Sequence, residues 1–174
     1  DAPLKMGVLH VCQKQTLAWA HANEVSGVTI EQEGVKFLLH GGIIADEMGM
    51  GKSVTIVALM TLRKVFTLVV VPPNLVVQWK SAIRQYSSLR MEALYGQSQT
   101  RTADLVKNDL LDVVVVGAGS KIDDDIWNKV GRLVVDEGHK LLGVNSEFTG
   151  DVMRKVRAES SQIKHKWIIS GTPW

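Results

Sequence analysis

The sequence has a single cysteine, no long hydrophobic run and no large excess of charge of either sign. Cys12 alone excludes an internal disulfide and a cysteine-rich zinc site, and it fits an intracellular, reducing compartment. Charged or turn residues interrupt every apolar run well before the ~18 residues that a membrane span needs, so we expect no membrane partner. The first twenty residues lack the pattern of a secretory signal. The net charge of +2 permits a nucleic-acid partner without arguing for one.

What is present is a globular composition arranged as alternating strand-like and helix-like segments. The chain has 174 residues, 45% of them hydrophobic, and no internal repeat, which suits one domain with a sizeable core. Apolar runs predict strands at Gly42–Asp46, Thr67–Val71, Met91–Tyr95, Asp112–Val116, Arg132–Asp136 and Lys166–Ser170. Several of these runs are continuous and β-branched, as in strands covered on both faces. Helices are predicted at Lys52–Lys64, Asn74–Tyr86, Ser98–Lys107 and Ser146–Ala158. The alternation predicts an α/β fold, a mostly parallel sheet covered by helices on both faces. The polar stretch His21–Gly34 is interpreted as a surface excursion.

The loop after the first predicted strand, ADEMGMGKS, carries a phosphate-binding pattern. Two glycines allow its backbone to curl so that N–H groups point at phosphate oxygens, and the next helix adds its positive end. Lys52 is placed to reach the β- and γ-phosphates of ATP, and the Ser53 hydroxyl to ligate Mg²⁺. The general pattern has glycine where this chain has Asp46, so the alternative is a glycine-rich turn with a coincidental lysine. The predicted nucleotide-binding residues of this loop are Asp46, Glu47, Met48, Gly49, Met50, Gly51, Lys52 and Ser53.

An acidic box, DEGH, ends a second buried strand. Nucleotide hydrolysis needs a carboxylate that holds Mg²⁺ and a group that activates the attacking water, and Asp136 and Glu137 supply both. Ligands bind at the carboxyl ends of parallel strands, so both motifs should open onto one edge of the sheet. The alternative is two solvated turn residues. The predicted catalytic residues are therefore Lys52, Asp136 and Glu137.

His139 completes this box, and a zinc site there is disfavoured because one cysteine and no nearby histidine accompany it. We expect it to hydrogen-bond to the end of the next strand. That end is the turn Ser170-Gly171-Thr172, whose small hydroxyl residues can exchange partners as the γ-phosphate comes and goes, which predicts a coupling element. An ordinary Ser-Gly-Thr-Pro turn is the alternative.

In this order, the motifs resemble those of the first motor lobe of SWI/SNF-like helicase-related ATPases, within superfamily two. The run GGIIADEMGMGKSVTIVAL resembles that family's motif I, including the aspartate at 46, and TLVVVPPNLVVQWKSAI resembles motif Ia. DEGHKL and WIISGTP are similar to motifs II and III. Leu9, Gln13 and Trp19 fall at the spacing of the leading Q motif, where the family's glutamine contacts adenine. DEGH together with DEMGMGK is similar to the fungal repair translocases that carry RING fingers.

The resemblance implies a RecA-like fold and a lobe, spanning the Q motif to motif III, that works with a second lobe not seen in this sequence. Family members hydrolyse ATP between two such lobes, with arginines supplied by the second, so we expect the isolated lobe to be nearly inactive. It implies the cofactors ATP and Mg²⁺, double-stranded DNA or chromatin as a sequence-independent partner, and the nucleus as the location. The predicted DNA-contacting residues are Pro72, Pro73, Asn74, Lys80, Arg84 and Ser120.

Two other functions stay open at the level of sequence. The segment VGAGS (116–120) stands where the family has a Thr-Ser/Thr-Tyr motif that touches DNA, which motivates a degenerate, non-catalytic nucleotide-binding scaffold lobe. The intact Lys52, Asp136 and Glu137 count against it. A P-loop phosphotransferase would need an arginine-bearing lid and an acceptor pocket, and the motif order counts against that class. For Lys80 and Arg84, a solvated helix face is the alternative to phosphate contact.

Overall fold

Strands and helices alternate along the chain in the computed structural model, which describes residues 4, 5, 7–47, 49–94, 99–141, 147–158 and 161–171. The strands are β1 (Val28–Gln32), β2 (Val35–Ile44), β3 (Thr67–Val71), β4 (Met91–Leu94), β5 (Val113–Gly117), β6 (Arg132–Asp136) and β7 (His165–Ile169). The helices are α1 (Val11–Ser26), α2 (Lys52–Leu62), α3 (Val76–Tyr86), α4 (Gln99–Lys107), α5 (Asp124–Trp127), α6 (Gly138–Leu141) and α7 (Glu147–Arg157), and a 3₁₀ turn (Pro73–Leu75) precedes α3. None of these helices is both long and apolar enough to cross a membrane.

The strands form one sheet in the order β1-β2-β7-β6-β3-β5-β4. Every pair from β2 to β4 is parallel, and only the β1–β2 hairpin is antiparallel. The predicted mostly parallel α/β fold is therefore confirmed. All residues of β3, β5 and β6 are buried, as their continuous apolar runs require of strands covered on both faces.

Helices cover both faces of the sheet. One apolar core joins the sheet to α1, α2 and α3, and the other joins it to α4, α5 and α7. In α3, Trp79 and Ile83 are 1% and 0% exposed, because positions four apart lie on one helix face. Both residues are core residues, as their spacing predicts.

The segment His21–Gly34 forms regular secondary structure, and only its second part lies on the surface as its polar composition indicates. Its first part continues α1 to Ser26, and its second part is β1, which pairs with the start of β2. The strand predicted to start at Gly42 accordingly begins at Val35 and ends at Ile44. The prediction of a surface excursion is confirmed for β1, whose five residues are all exposed, and is wrong for the end of α1, where Asn23 and Glu24 are buried and hydrogen-bonded.

Glu24 of α1 shows this most clearly, because its side chain is fully buried. Arg132, at the start of β6, donates from Nε and Nη2 to the two carboxylate oxygens of Glu24, both at 2.6 Å. The indole N–H of Trp167 adds a third bond at 2.8 Å. Burial opposes ionisation of Glu24, but the hydrogen bonds and charge of Arg132 outweigh it and hold the pKa of this carboxyl below its ordinary value. A buried ion pair thus anchors α1 to the sheet.

His165 lies beside this pair, at the amino end of β7. It is 2% exposed, and its Nδ1 has no hydrogen-bond partner among the described residues. Burial lowers the pKa of His165 to about 4, and the neighbouring Arg132 charge acts in the same direction while Glu24 opposes it. The imidazole is therefore neutral at pH 7. This polar cluster occupies the amino ends of the parallel strands.

Candidate active site

The opposite, carboxyl edge of the sheet gathers the ends of β2, β7 and β6. In the strand register Ile44 pairs with Ile169, and Ile169 pairs with Asp136. The backbone N–H of Ser170 donates to the carbonyl of Ile44 at 3.1 Å, which ties the two strand ends together. The loop after β2, the acidic box after β6 and the turn after β7 therefore leave the sheet side by side.

The loop after β2 turns sharply into α2. Gly51 has φ +74° and Gly49 has φ +86°, left-handed conformations that residues with a Cβ adopt only with strain. The Nζ of Lys52 donates to the carbonyls of Asp46 and Glu47 at 2.6 and 2.9 Å, so the ammonium group lies inside the curl of the loop. Ser53, next on α2, is half-buried. Met48 lies outside the described residues. The loop thus has the strand–turn–helix context that a phosphate cradle requires.

Helix α1 holds this loop through Gln13. The side-chain amide of Gln13 donates from Nε2 to the carbonyl of Met50 at 3.2 Å and to that of Gly51 at 3.4 Å. Its Oε1 accepts from the backbone N–H of His10 at 2.9 Å, at the start of α1. One turn further on, Thr16 donates to Oδ2 of Asp46 at 3.4 Å. The structure therefore places Gln13 against the backbone of the loop between β2 and α2.

Asp136, at the end of β6, is 7% exposed and both of its carboxylate oxygens accept hydrogen bonds. Oδ2 accepts from the indole Nε1 of Trp79 at 2.7 Å, and Oδ1 accepts from the backbone N–H of Glu137 at 2.9 Å. Burial raises the pKa of Asp136, and the charge of Glu137 adds to this effect, while both hydrogen bonds and the charge of Lys52 oppose it. Asp136 ends β6 and Lys52 follows the loop from the end of β2, and the strand register places these two ends at the same edge of the sheet.

Glu137 and His139 link the acidic box to the turn after β7. The Nδ1 of His139 lies 2.7 Å from the hydroxyl oxygen of Ser170, and 3.5 Å from Oε2 of Glu137. The structure thus contains the contact expected between His139 and the next strand end. Glu137 has φ +50°, a strained conformation for a residue with a side chain. Gly171 follows Ser170 in a bend, and Thr172 lies outside the described residues.

These groups fit a nucleotide with Mg²⁺. A Cβ built on Gly49 meets no atom within 4 Å, so there is open space against the loop where a phosphate could approach the backbone. Mg²⁺ prefers oxygen ligands and usually binds one or two carboxylates together with substrate phosphates and water. One buried carboxylate, Asp136, and one hydroxyl, Ser53, match that need. In the described part of the chain, no three His, Cys, Asp or Glu side chains are grouped to enclose a metal ion.

Four of the predicted DNA-contacting residues, Pro72, Pro73, Asn74 and Ser120, lie further along the same edge, beyond β3 and β5. Helix α3 carries Lys80 and Arg84 from this edge back toward the amino ends of the strands. The backbone N–H of Ala118 donates to the carbonyl of Val71 at 2.8 Å, so the loop after β5 is tied to the end of β3. A Cβ on Gly117 would touch Val76 and Pro73 at 3.4 and 3.5 Å, which places this loop against the 3₁₀ turn. Pro73, Asn74 and Arg84 are exposed, whereas Pro72, Lys80 and Ser120 are half-buried.

Two features of the site are not evident from the sequence. One is the hydrogen bond from Trp79 to Asp136. The spacing of Trp79 on α3 indicates only a core residue, and its N–H partner lies 57 positions away in the sequence. The other is the role of Gln13 against the loop backbone, which depends on how α1 packs on α2. The only sequence signal for either is the resemblance to motif Ia and the Q motif.

The fold and this site define an α/β protein of the P-loop class, with the candidate site at the carboxyl ends of parallel strands. The chain belongs to the SNF2-related domain family, whose profile matches residues 12–174. DNA repair protein RAD5 of Candida albicans is 27% identical over 203 residues, covering 92% of this chain and 18% of that protein. ATP-dependent helicase FUN30 of Saccharomyces cerevisiae is 31% identical over 147 residues, which cover 75% of this chain and 12% of that protein.

Among solved structures, the crystal structure of a hypothetical ATP-dependent RNA helicase from Sulfolobus tokodaii has a TM-score of 0.67 to this chain. The likeness covers 97% of this chain and 47% of that chain at 17% identity, and it shows a shared RecA-like fold. The resemblance to SWI/SNF-like ATPases is confirmed by the family match, and the repair subgroup by RAD5. The chain spans less than a fifth of the length of these two curated relatives.

Proposed function

We propose that this chain is the ATP-binding lobe of a DNA-dependent ATPase, which couples hydrolysis of Mg²⁺-ATP to movement on double-stranded DNA when joined to a second lobe. The observation that carries the proposal is the convergence of three segments at one sheet edge. These are the loop around Lys52, the buried Asp136 with Glu137, and the contact between His139 and Ser170. The names of the relatives, a DNA repair protein and an ATP-dependent helicase, support DNA or chromatin as partner and the nucleus as location.

The roles follow from the positions of the groups. Lys52 neutralises charge on the β- and γ-phosphates, and the backbone N–H groups of Gly49 and Gly51 bind phosphate oxygens. Ser53 and Asp136 hold Mg²⁺, which when bound supplies positive charge to the transferring phosphoryl group. Glu137 orients the attacking water and accepts its proton. Gln13 acts on the nucleotide through the loop carbonyls that it binds, in addition to the adenine contact implied by the family.

Coupling to movement runs through His139 and the turn at Ser170, Gly171 and Thr172. The His139–Ser170 hydrogen bond joins the end of β6 to the end of β7 at 2.7 Å. Oε2 of Glu137 lies 3.5 Å from the same nitrogen of His139. A change in the hydrogen bonding of Glu137 therefore alters the bond between His139 and Ser170, and the reverse also holds. This arrangement suits a relay between the water-activating carboxylate and the segment that follows β7.

The measurement that tests the proposal is ATP hydrolysis with and without duplex DNA, made on the full-length protein and on this chain alone. We expect DNA to stimulate turnover by the full-length protein, and the chain alone to bind ATP weakly with negligible turnover. Loss of an arginine finger lowers the turnover number by roughly 10³–10⁵-fold. DNA-stimulated turnover by the chain alone would show that a second lobe is not needed. A full-length protein whose turnover ignores DNA would refute the translocase function.

We place the DNA contact on the 3₁₀ turn, helix α3 and the loop at Ser120. No ion pair involves Lys80 or Arg84 among the described residues, and Arg84 is exposed while Lys80 is half-buried, so both can be tested as phosphate contacts. Contacts to phosphates position a protein on DNA without reading its sequence. We therefore expect sequence-independent binding that weakens steeply with salt.

Replacing Lys80 or Arg84 with alanine should weaken DNA binding by the full-length protein equally for unrelated sequences. Each lost phosphate contact should also reduce the slope of log affinity against log salt by about 1. The measurement is a fluorescence-anisotropy titration at several salt concentrations. Lys36→Ala is the matched control, because Lys36 lies on the β1–β2 hairpin, far along the sheet from α3. An unchanged salt slope in both α3 variants would show a merely solvated helix face.

A further inference from the structure

Helix α3 and the acidic box are joined by one buried hydrogen bond. Trp79 lies one turn into α3, is 1% exposed, and donates from its indole Nε1 to Oδ2 of Asp136 at 2.7 Å. The bond lies at the short end of the usual range for N–H···O hydrogen bonds. It joins residues 57 positions apart in sequence, so it exists only in the folded protein.

The bond does more than satisfy a core tryptophan. With Oδ2 held by Trp79 and Oδ1 held by the backbone N–H of Glu137, the carboxylate plane has one orientation. An ionised carboxylate has about four lone-pair sites, so two accepted bonds leave sites on which a cation or water can bind. The outer partners of a metal ligand fix its orientation and tune its affinity. Trp79 is such an outer hydrogen-bond partner of Asp136, the proposed metal ligand.

The same helix reaches the other end of the site. Val76, Trp79 and Ile83 form the buried face of α3 and pack in the core that also contains α2. The exposed 3₁₀ turn at the start of α3 lies against Gly117, the last residue of β5. A ligand on this turn would therefore contact the start of a short segment whose other end, at Trp79, is bonded to the carboxylate of Asp136. A shift of α3 by about 1 Å would stretch the Trp79 bond beyond hydrogen-bonding distance.

The geometry points to Trp79 as a positioning residue that ties α3 to Asp136, so that nucleic acid on α3 and metal-bound nucleotide at Asp136 strengthen each other's binding through this hydrogen bond. The inference rests on the proposed function and adds a physical route for its coupling. Such coupling is reciprocal, since each ligand must change the affinity of the other by the same factor. A tryptophan that served only to fill the core would leave both affinities independent.

The first experiment measures binding of ADP to this chain by calorimetry, with and without Mg²⁺. In the unaltered chain Mg²⁺ should tighten ADP binding. In Trp79→Phe, which removes the N–H and keeps an aromatic ring, the gain from Mg²⁺ should fall by roughly 10-fold or more. Affinity for metal-free ADP should stay the same. Trp167→Phe is the matched control, because Trp167 is equally buried and also donates to a buried carboxylate, but to Glu24 at 2.8 Å.

The outcomes separate this inference from the proposed function. If the unaltered chain binds ADP with no dependence on Mg²⁺, the proposed function fails. If it shows the dependence and Trp79→Phe shows it equally, the inference fails and the proposed function stands. An equal loss in both tryptophan variants would indicate general damage to the core and would also overturn the inference. Should Trp79→Phe not fold, 3-benzothienylalanine at position 79 replaces only the N–H by sulfur in a ring system of the same shape.

The second experiment tests the coupling in the full-length protein. Duplex DNA should tighten the binding of Mg²⁺-ADP to the unaltered protein and to Trp167→Phe. In Trp79→Phe that DNA-induced gain should be lost, while DNA affinity without nucleotide stays unchanged. A gain of the same size in Trp79→Phe would show that DNA and nucleotide communicate by another route.

Discussion

Replacement of Lys52 with alanine is expected to lower ATP hydrolysis by the full-length protein by at least roughly 10²-fold, the loss typical of removing one preorganised group that stabilises developing charge. The Lys52 ammonium group lies within the loop, bonded to the carbonyls of Asp46 and Glu47 at 2.6 and 2.9 Å. Alanine leaves the triphosphate without that charge. The fold should be kept, because Lys52 is half-buried at the first position of α2 and no core contact depends on its amine. Steady-state hydrolysis, with a thermal melt of each variant, measures both effects.

Lys36→Ala is the control, since it also removes one lysine but lies on the hairpin beside Glu31. Its hydrolysis rate should equal that of the unaltered protein. Lys52→Ala also decides between a motor and a scaffold lobe. If cells that carry Lys52→Ala keep the full activity of the protein, the nucleotide-binding site is dispensable and the scaffold function is favoured.

Replacement of Arg132 with methionine is expected to destabilise the fold by about 3–5 kcal/mol, because the buried Glu24 charge loses both Arg132 bonds and keeps only the Trp167 N–H and a 4.0 Å contact with Arg63. Arg132 and Glu24 are both fully buried and share two bonds at 2.6 Å. Arg132 also donates to the Thr67 hydroxyl at 3.1 Å and to the carbonyl of Arg63 at 3.1 Å, and both of these bonds are lost with it. A domain of this size is stable by only ~5–15 kcal/mol, so the loss is a large fraction of the total. Urea unfolding of this chain, followed by circular dichroism, measures the change.

The matched control is a second two-bond pair that is open to solvent. Arg90 binds Asp112 at 3.1 and 2.8 Å, but the Arg90 side chain is 52% exposed. Exposed pairs contribute ~0–1 kcal/mol, so Arg90→Met should change stability little. The double change Glu24→Leu with Arg132→Met should lower the free energy of unfolding less than Arg132→Met alone, since the buried Glu24 charge is removed as well. Equal losses for Arg132→Met and Arg90→Met would contradict the assigned importance of burial.

Much of the fold follows from local patterns. The predicted strands at 67–71 and 132–136 match the structure at both ends, because an unbroken β-branched run between turn signals suits a strand buried on both faces. Helix α2 begins at Lys52 as predicted, where the glycines end. The structure of the stretch His21–Gly34 was less predictable. The polar residues of His21–Gly34 indicate solvent, yet Glu24 within that stretch is fully buried.

The sequence by itself determined that a strand, a glycine turn with a lysine, and a helix follow one another, and that an acidic box ends another apolar run. These are contiguous patterns, and backbone sterics and hydrogen bonding act over a few residues to make each of them. Only the tertiary structure decided which buried donor meets which carboxylate. Trp79 and Asp136 are 57 positions apart, Arg132 and Glu24 are 108 apart, and Trp167 and Glu24 are 143 apart. Such partners are selected by how helices pack on the sheet, because a buried charge is stable only where packing brings its donors to it.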